Sequence, residues 1–300
     1  MSTHDVPVPA AMGRDRAHIV GAGCAAAGAL AWSMGALLIR LVELDAWTLL
    51  FWRSTFVALG ALTYIAIVNR GAVLSVLKAA GWGLVAAGLF MALSMCLYVN
   101  SITRTSVANC LILLATNPFM AAVLAWGALG ERVAPRTWAA MAIALVGMAA
   151  MVGDSLAAGS WFGDLLAIGC AATFACVMVL LRKLKNQDTV PQVLFAGLWA
   201  MLLTVLAASP LQASARDIAL CAVMGICSIG LGMLLFVYGL RQISAAEAGL
   251  LSLLESVLAP VWVWIAIGER PRPLALLGGV IMLAAVAGHA AMTPRAGAKG

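Results

Sequence analysis

Two polar residues in otherwise apolar surroundings are the first candidates for chemistry. Glu255 lies in the middle of the apolar run Ser244–Ile267, and Asn117 holds the same place in Ser106–Leu129, 138 positions earlier. If these runs cross a bilayer, a carboxylate at that depth costs about 2.5–3.5 kcal/mol on insertion scales, so it must face a protein interior or a polar cavity. There it can hold a substrate ammonium group or a proton. In a purely structural span it would instead be a protonated acid bridging two helices. Asn117 is neutral, so the charge comes from one member of the pair alone. Each run also carries an interior proline, Pro118 or Pro260. A proline removes a helical N–H and frees the carbonyl one turn back, here at Leu114 or Ser256. Both are therefore expected to kink their helices beside the polar residue.

Other polar groups rank below these. Glu247 lies eight residues before Glu255, about 80° away around the helix, and is a candidate for an entrance or coupling group, as is Asn109 at the corresponding place in the earlier run. Arg53 falls about seven residues inside its apolar run and is expected to act as an anchor, snorkelling toward the outer headgroups. Trp32, Phe174, Tyr98 and Tyr238 could wall an apolar cavity, with Ser33, Ser94 and Asn100 as polar partners. Trp47, Trp82, Trp138 and Trp161 fall at run ends and read as interfacial belt residues.

The elements that must position these groups follow from composition. The 300 residues are 64% hydrophobic and 10% charged, with a mean hydropathy of +1.04. Soluble domains carry about 25% charged residues. So much apolar surface needs lipid as solvent, and the runs are too long and unalternating for outer-membrane strands. An all-α integral membrane protein is expected. The net charge of +6 comes from residues scattered between apolar runs, which excludes a nucleic-acid patch. The seven cysteines lie within those runs and form no CxxC pair, so neither a metal site nor disulfides are suggested. With three histidines in the whole chain, a histidine metal centre is not expected either, and no cofactor is implied. No HExxH, GxSxG, P-loop or dinucleotide fingerprint is present, so the chain does not read as an enzyme.

Charges, Pro and Gly divide the chain into ten spans, at about 20–41, 46–69, 80–102, 106–129, 136–153, 161–181, 190–208, 217–239, 244–267 and 273–291. The first follows a short polar tail and is read as a retained span rather than a cleaved leader. Twelve Lys and Arg on one side against five on the other place both termini in the cytoplasm. The organisation is then a tail 1–18, a five-helix repeat 19–153, a second repeat 160–291 and a tail 292–300.

The repeat itself is visible in Ala121–Pro135 laid on Ala259–Pro273, where eight of fifteen positions match, including Gly-Glu-Arg at 130–132 and 268–270. Five spans is an odd number, so the second copy runs through the membrane in the opposite sense. Inverted repeats of this kind place a binding site near midplane between the copies.

Ten spans in two five-span repeats, with a proline-bearing fourth span ending in Gly-Glu-Arg, resemble the EamA family of the drug/metabolite transporter superfamily. The matching residues are Trp32-Ser33, Arg53, Asn117-Pro118, Gly130-Glu131, Leu254-Glu255 and Gly268-Glu269. In one departure, Ser256 stands where a proline usually follows the second-half Glu, and the proline is displaced to 260. The resemblance spans about 20–291 and implies a multi-pass carrier of the bacterial inner membrane. Such carriers export amino acids or related small metabolites by alternating access, and aromatic amino acid exporters of the YddG type are the leading substrate class. An exporter of drugs or amphiphilic cations and a facilitative small-solute channel are the alternatives. The two halves would rock about a cavity in which Glu255 holds an amine or a coupling proton, Asn117 and Ser33 assist, and Trp32, Tyr98, Phe174 and Tyr238 form apolar walls. The expected partners are a small-molecule substrate and the lipid bilayer, with the protein acting as a monomer.

Overall fold

A computed structural model describes residues 14–102, 104, 110, 113–152, 161–184, 186–268 and 273–292. Asn109 and Glu269 lie outside these residues, as do most of the two tails. Every regular element among the described residues is helical. In lipid no water is at hand to satisfy an open backbone, so an apolar run must bond within itself. The helices are α1 (Arg14–Leu41), α2 (Ala46–Val68), α3 (Val73–Ala79), α4 (Trp82–Ile102), α5 (Asn117–Leu129), α6 (Pro135–Val152) and α7 (Trp161–Lys183). They continue with α8 (Pro191–Thr204), α9 (Ala215–Val223), α10 (Leu231–Leu240), α11 (Ala245–Ser252), α12 (Leu254–Ile267) and α13 (Pro273–Met292). A π-helical segment, Met224–Gly230, joins α9 to α10 as one continuous rod. Among the described residues six helices are long and apolar enough to cross a membrane, and Asn117–Leu129, Pro191–Thr204 and Leu276–His289 are shorter apolar helices.

The ends are set by local chemistry. Asp45 caps α2 by accepting from the backbone N–H groups of Trp47 and Thr48. Ser244 and Glu247 close a capping box at the start of α11. Gly130 and Gly268 end α5 and α12 with φ of 68° and 79°, a left-handed conformation that glycine adopts without a Cβ clash. The shared Gly-Glu-Arg motif thus begins with the same helix stop in each repeat.

Of the two prolines expected to kink their helices, Pro118 lies beside a break and Pro260 does not. The second long segment is interrupted at Leu253, between α11 and α12, and Pro260 lies seven residues further on, inside α12. Pro118 sits in the first turn of α5, just after a turn at Ala115–Thr116. Displaced by the repeat spacing of 138, that turn falls on Leu253–Leu254. Both segments therefore break at the same register, immediately before Asn117 and Glu255. Around each break the ladder tightens to the next-nearest carbonyl, as in Thr116 N–H to Leu113 (3.2 Å) and Ser256 N–H to Leu253 (3.1 Å).

Helices pack chiefly across the two repeats rather than within them. α1 lies on α10 and α12, and its counterpart α7 lies on α4 and α5. α2 packs on α8 and α6 on α13, each a helix against its own repeat partner, and α5 packs on α11, the other half of the broken segment that corresponds to it. Exchanging the two repeats returns the same set of neighbours. The sequence halves are interleaved. One large buried core spans α1, α2, α4, α7, α8 and α10, and a second lies among α5, α6, α11, α12 and α13.

Candidate functional site

The two breaks put Asn117 and Glu255 in the first turns of α5 and α12. A helix N-terminus carries free N–H groups and a partial positive charge, which favour acceptors and anions. Asn117 is 4% exposed and donates from Nδ2 to the carbonyl of Ala171 (2.9 Å). Its Oδ1 is buried with no hydrogen-bond partner among the described residues. Gly249 of α11 lies against Asn117 and Pro118; a Cβ there would come within 3.0 Å of the Pro118 Cα. The two broken segments therefore cross in contact beside their breaks. Glu255 is partly buried, and among the described residues its carboxylate has neither a hydrogen bond nor an ion pair.

Arg53 departs from expectation. It does not snorkel outward but is 5% exposed, enclosed between α2 and its neighbours. Gly225 of the π segment, with no side chain, lets that segment close onto the backbone carbonyl of Arg53. The guanidinium Nε has no partner among the described residues. Among the described residues no nitrogen–oxygen approach of 4.0 Å or less joins Arg53 to Glu255. A buried guanidinium from one repeat and a half-buried carboxylate from the other thus stand without a salt bridge between them.

The aromatic candidates separate. Trp32 and Phe174 meet with centroids 6.0 Å apart, and Phe236 completes the trio at 4.8 Å from Trp32 and 6.0 Å from Phe174. Tyr238 is 37% exposed, on another side of α10, and Phe236 two residues earlier faces the interior in its place. Ser33 accepts from the indole N–H of Trp262 (2.8 Å) and donates to the Leu30 carbonyl (2.6 Å). Ser94 bonds the carbonyl (3.2 Å) and approaches the Sγ (3.3 Å) of Cys170. Both serines join helices rather than standing free. Trp262, Phe236 and the buried Gln192 were not among the sequence candidates. Trp262 had a signal, since seven residues from Glu255 is two helical turns on the same face.

Glu247 belongs to a different neighbourhood. Its Oε2 accepts from the backbone N–H (3.0 Å) and hydroxyl (3.1 Å) of Ser244, and its Oε1 faces the Nε2 atoms of His18 (3.4 Å) and His289 (3.5 Å). It lines a cleft of about 190 Å³ together with Glu131, Arg132 and Arg136. Glu131 pairs with Arg182 of the other repeat (2.9 Å), and Arg182 also donates to the carbonyls of Leu240 and Arg241 at the end of α10. Among the described residues no cluster of His, Cys, Asp or Glu is arranged to hold a metal ion, and all seven cysteines are unbridged.

Comparison with known proteins adds three findings. The model of the EamA-like transporter family matches twice, over residues 19–153 and 161–289. An uncharacterized transporter of Archaeoglobus fulgidus is 25% identical over 198 residues, which is 66% of this chain and 72% of that protein. A solved crystal structure superposes with a TM-score of 0.78 at 18% identity, covering 92% of this chain and 97% of the other, and it supports the fold alone.

Proposed function

Since this chain belongs to the EamA-like transporter family, we propose that it is a secondary exporter of zwitterionic small metabolites of the amino acid class. The observation that carries this reading is that the buried Arg53 and the half-buried Glu255, one from each repeat, are joined neither to each other nor, at the Arg53 Nε and the Glu255 carboxylate, to any other described residue. Burying a charge costs several kcal/mol, and the cost is offset only by good partners. An α-amino acid supplies both missing partners at once. Its ammonium group faces Glu255, and its carboxylate takes the planar guanidinium of Arg53 in a bidentate contact. The first turn of α5, with the free Oδ1 of Asn117, offers a further acceptor for the ammonium group. Trp32, Phe174 and Phe236 supply an apolar wall for the side chain. An amphiphilic cation would satisfy Glu255 but leave Arg53 facing a like charge.

In this reading both termini are cytoplasmic, the membrane is the bacterial inner membrane, and the second repeat runs opposite to the first. Substrate reaches the pair alternately from either side. The interleaved packing requires the moving bodies to combine helices of both repeats.

The test is flux from proteoliposomes loaded with labelled neutral amino acids. Glu255→Gln and Arg53→Gln are each expected to slow efflux about 30-fold or more, as for loss of one partner of a buried charged contact. Transport by Glu255→Gln at the wild-type rate across the pH range would sink the reading. Saturable counterflow of labelled substrate separates a carrier from a channel.

A further inference from the structure

The two buried cores each draw on both repeats. Helices α5 and α11 line the seam between them: Ala122 and Ala246 pack into the second core, Ala121, Ala125 and Ala248 into the first. Asn117 crosses the seam through its bond to Ala171 of α7. At the end of the molecule where α1 starts and α7 stops, charge crosses it as well. Arg182, at the end of α7, donates from Nε to Glu131 just past the end of α5 (2.9 Å). From Nη1 it donates to the carbonyls of Leu240 (3.4 Å) and Arg241 (3.0 Å) at the end of α10. These attachments are unequal. α7 and α10 both belong to the first core, so Arg182 keeps two carbonyl acceptors and the negative end of the α10 dipole whatever α5 does. Glu131 is held more loosely: its Oε2 is buried with no hydrogen-bond partner among the described residues, and its side chain is 29% exposed. Beside the breaks α5 touches α11, where Gly249 meets Pro118, but at its far end a cleft of about 190 Å³ lies between Glu131 and Ser244–Glu247. Arg182 is the fixed side of the contact and Glu131 the releasable one.

We propose that the Glu131–Arg182 contact is the latch that keeps the seam between the two cores shut on the cytoplasmic side, and that its release lets α5 part from α7. The sidedness rests on the reading of both termini as cytoplasmic; the latch does not depend on what is carried. Helix α5 has 13 residues and is about 20 Å long. Its pivot is the turn at Ala115–Thr116, where the helix is already interrupted. A swing about that turn moves Glu131 far and the Asn117–Ala171 bond little, so the latch end opens while the site end stays assembled. Helix α6 continues from the latch and packs on α13, so the body that moves combines helices of both repeats. Water in the cleft already reaches the latch, which suits a contact that must break and re-form.

The experiment follows labelling of the full-length chain by a charged, membrane-impermeant maleimide, read at single positions by mass spectrometry. The reporter is Ala121→Cys, on the face of α5 that packs into the first core and 0% exposed. In inverted vesicles, which present the cytoplasmic face, labelling at position 121 should be slow. Glu131→Gln keeps the shape and removes the charge, and should speed it about tenfold, the equivalent of one hydrogen bond to a charged group. A second reporter, Ala196→Cys on α8, is also 0% exposed in the first core and should stay slow in both backgrounds. Arg182→Gln should speed labelling at 121 and also lower the melting temperature, because α10 loses its tie to α7; Glu131→Gln should leave the melting temperature nearly unchanged. Should Glu131→Gln fail to fold, rising salt serves in its place, since it screens a half-exposed ion pair and should quicken position 121 but not 196. Equal rates at 121 with and without the charge would overturn the latch. A parallel rise at 121 and 196 would also overturn it, because the contact would then be a general structural tie. Acceleration confined to right-side-out vesicles would support the latch and overturn the cytoplasmic assignment of the termini. No substrate is needed, so failure of the zwitterion reading in the flux measurements leaves this result standing.

Discussion

At the scale of residues, Arg53 and Glu255 are each expensive alone and balanced together. Removing one should therefore hurt more than removing both. Arg53→Met is expected to lower thermal stability, since it removes the buried cation of the proposed pair, whereas Arg53→Met/Glu255→Met should be neutral or more stable by about 1–4 kcal/mol. Neither variant should transport. Thermal unfolding of the three proteins with parallel flux measurements checks this, and a double variant less stable than the single would show that the two charges act independently. Glu255 was legible in the sequence because a carboxylate inside an apolar run has few benign explanations. Arg53 was misread because its depth allowed snorkelling; the π segment that packs on its backbone at Gly225 lies about 170 residues away.

At the scale of elements, the repeat motif pointed to the two segments that break, and of their prolines Pro118 lies beside its break and Pro260 does not. Leu253 has no helix-breaking chemistry of its own. The interruption there coincides with the crossing of α11 and α5, where Gly249 rests on the backbone of Pro118. A contact between segments more than a hundred residues apart cannot be read from local propensity. Gly249→Val should force the crossing apart, because the added atoms meet a Cα that cannot turn aside. A loss of about 1–3 kcal/mol is expected, the usual cost of overfilling a packed contact. Gly127→Val serves as the control, since nothing lies near a Cβ at that position. If the two variants melt together, the crossing is not what holds the break. The aromatic trio was half legible: Trp32 and Phe174 sit at repeat-related depths, but choosing Phe236 over Tyr238 required knowing which side of α10 meets α1.

At the scale of the whole molecule, each repeat finds most of its helix neighbours in the other. Neither half should fold by itself. Expressing the chain as two fragments divided in the connection 153–160 should yield an active complex when both are made together, and only degraded or aggregated protein when either is made alone. Co-purification and flux provide the readout; a soluble, monodisperse first fragment in detergent would contradict the prediction. The same interleaving sets a schedule for synthesis. α1 is complete about 190 residues before α10, its main neighbour, begins. At about 5–20 residues per second, that is a wait of about 10–40 s in the membrane. During it Arg53 and Asn117 are made, while Glu255 has yet to emerge. For tens of seconds the nascent first half must carry a bare guanidinium without the chain that will later shelter it, so its early survival depends on whatever in the insertion machinery keeps that charge out of lipid.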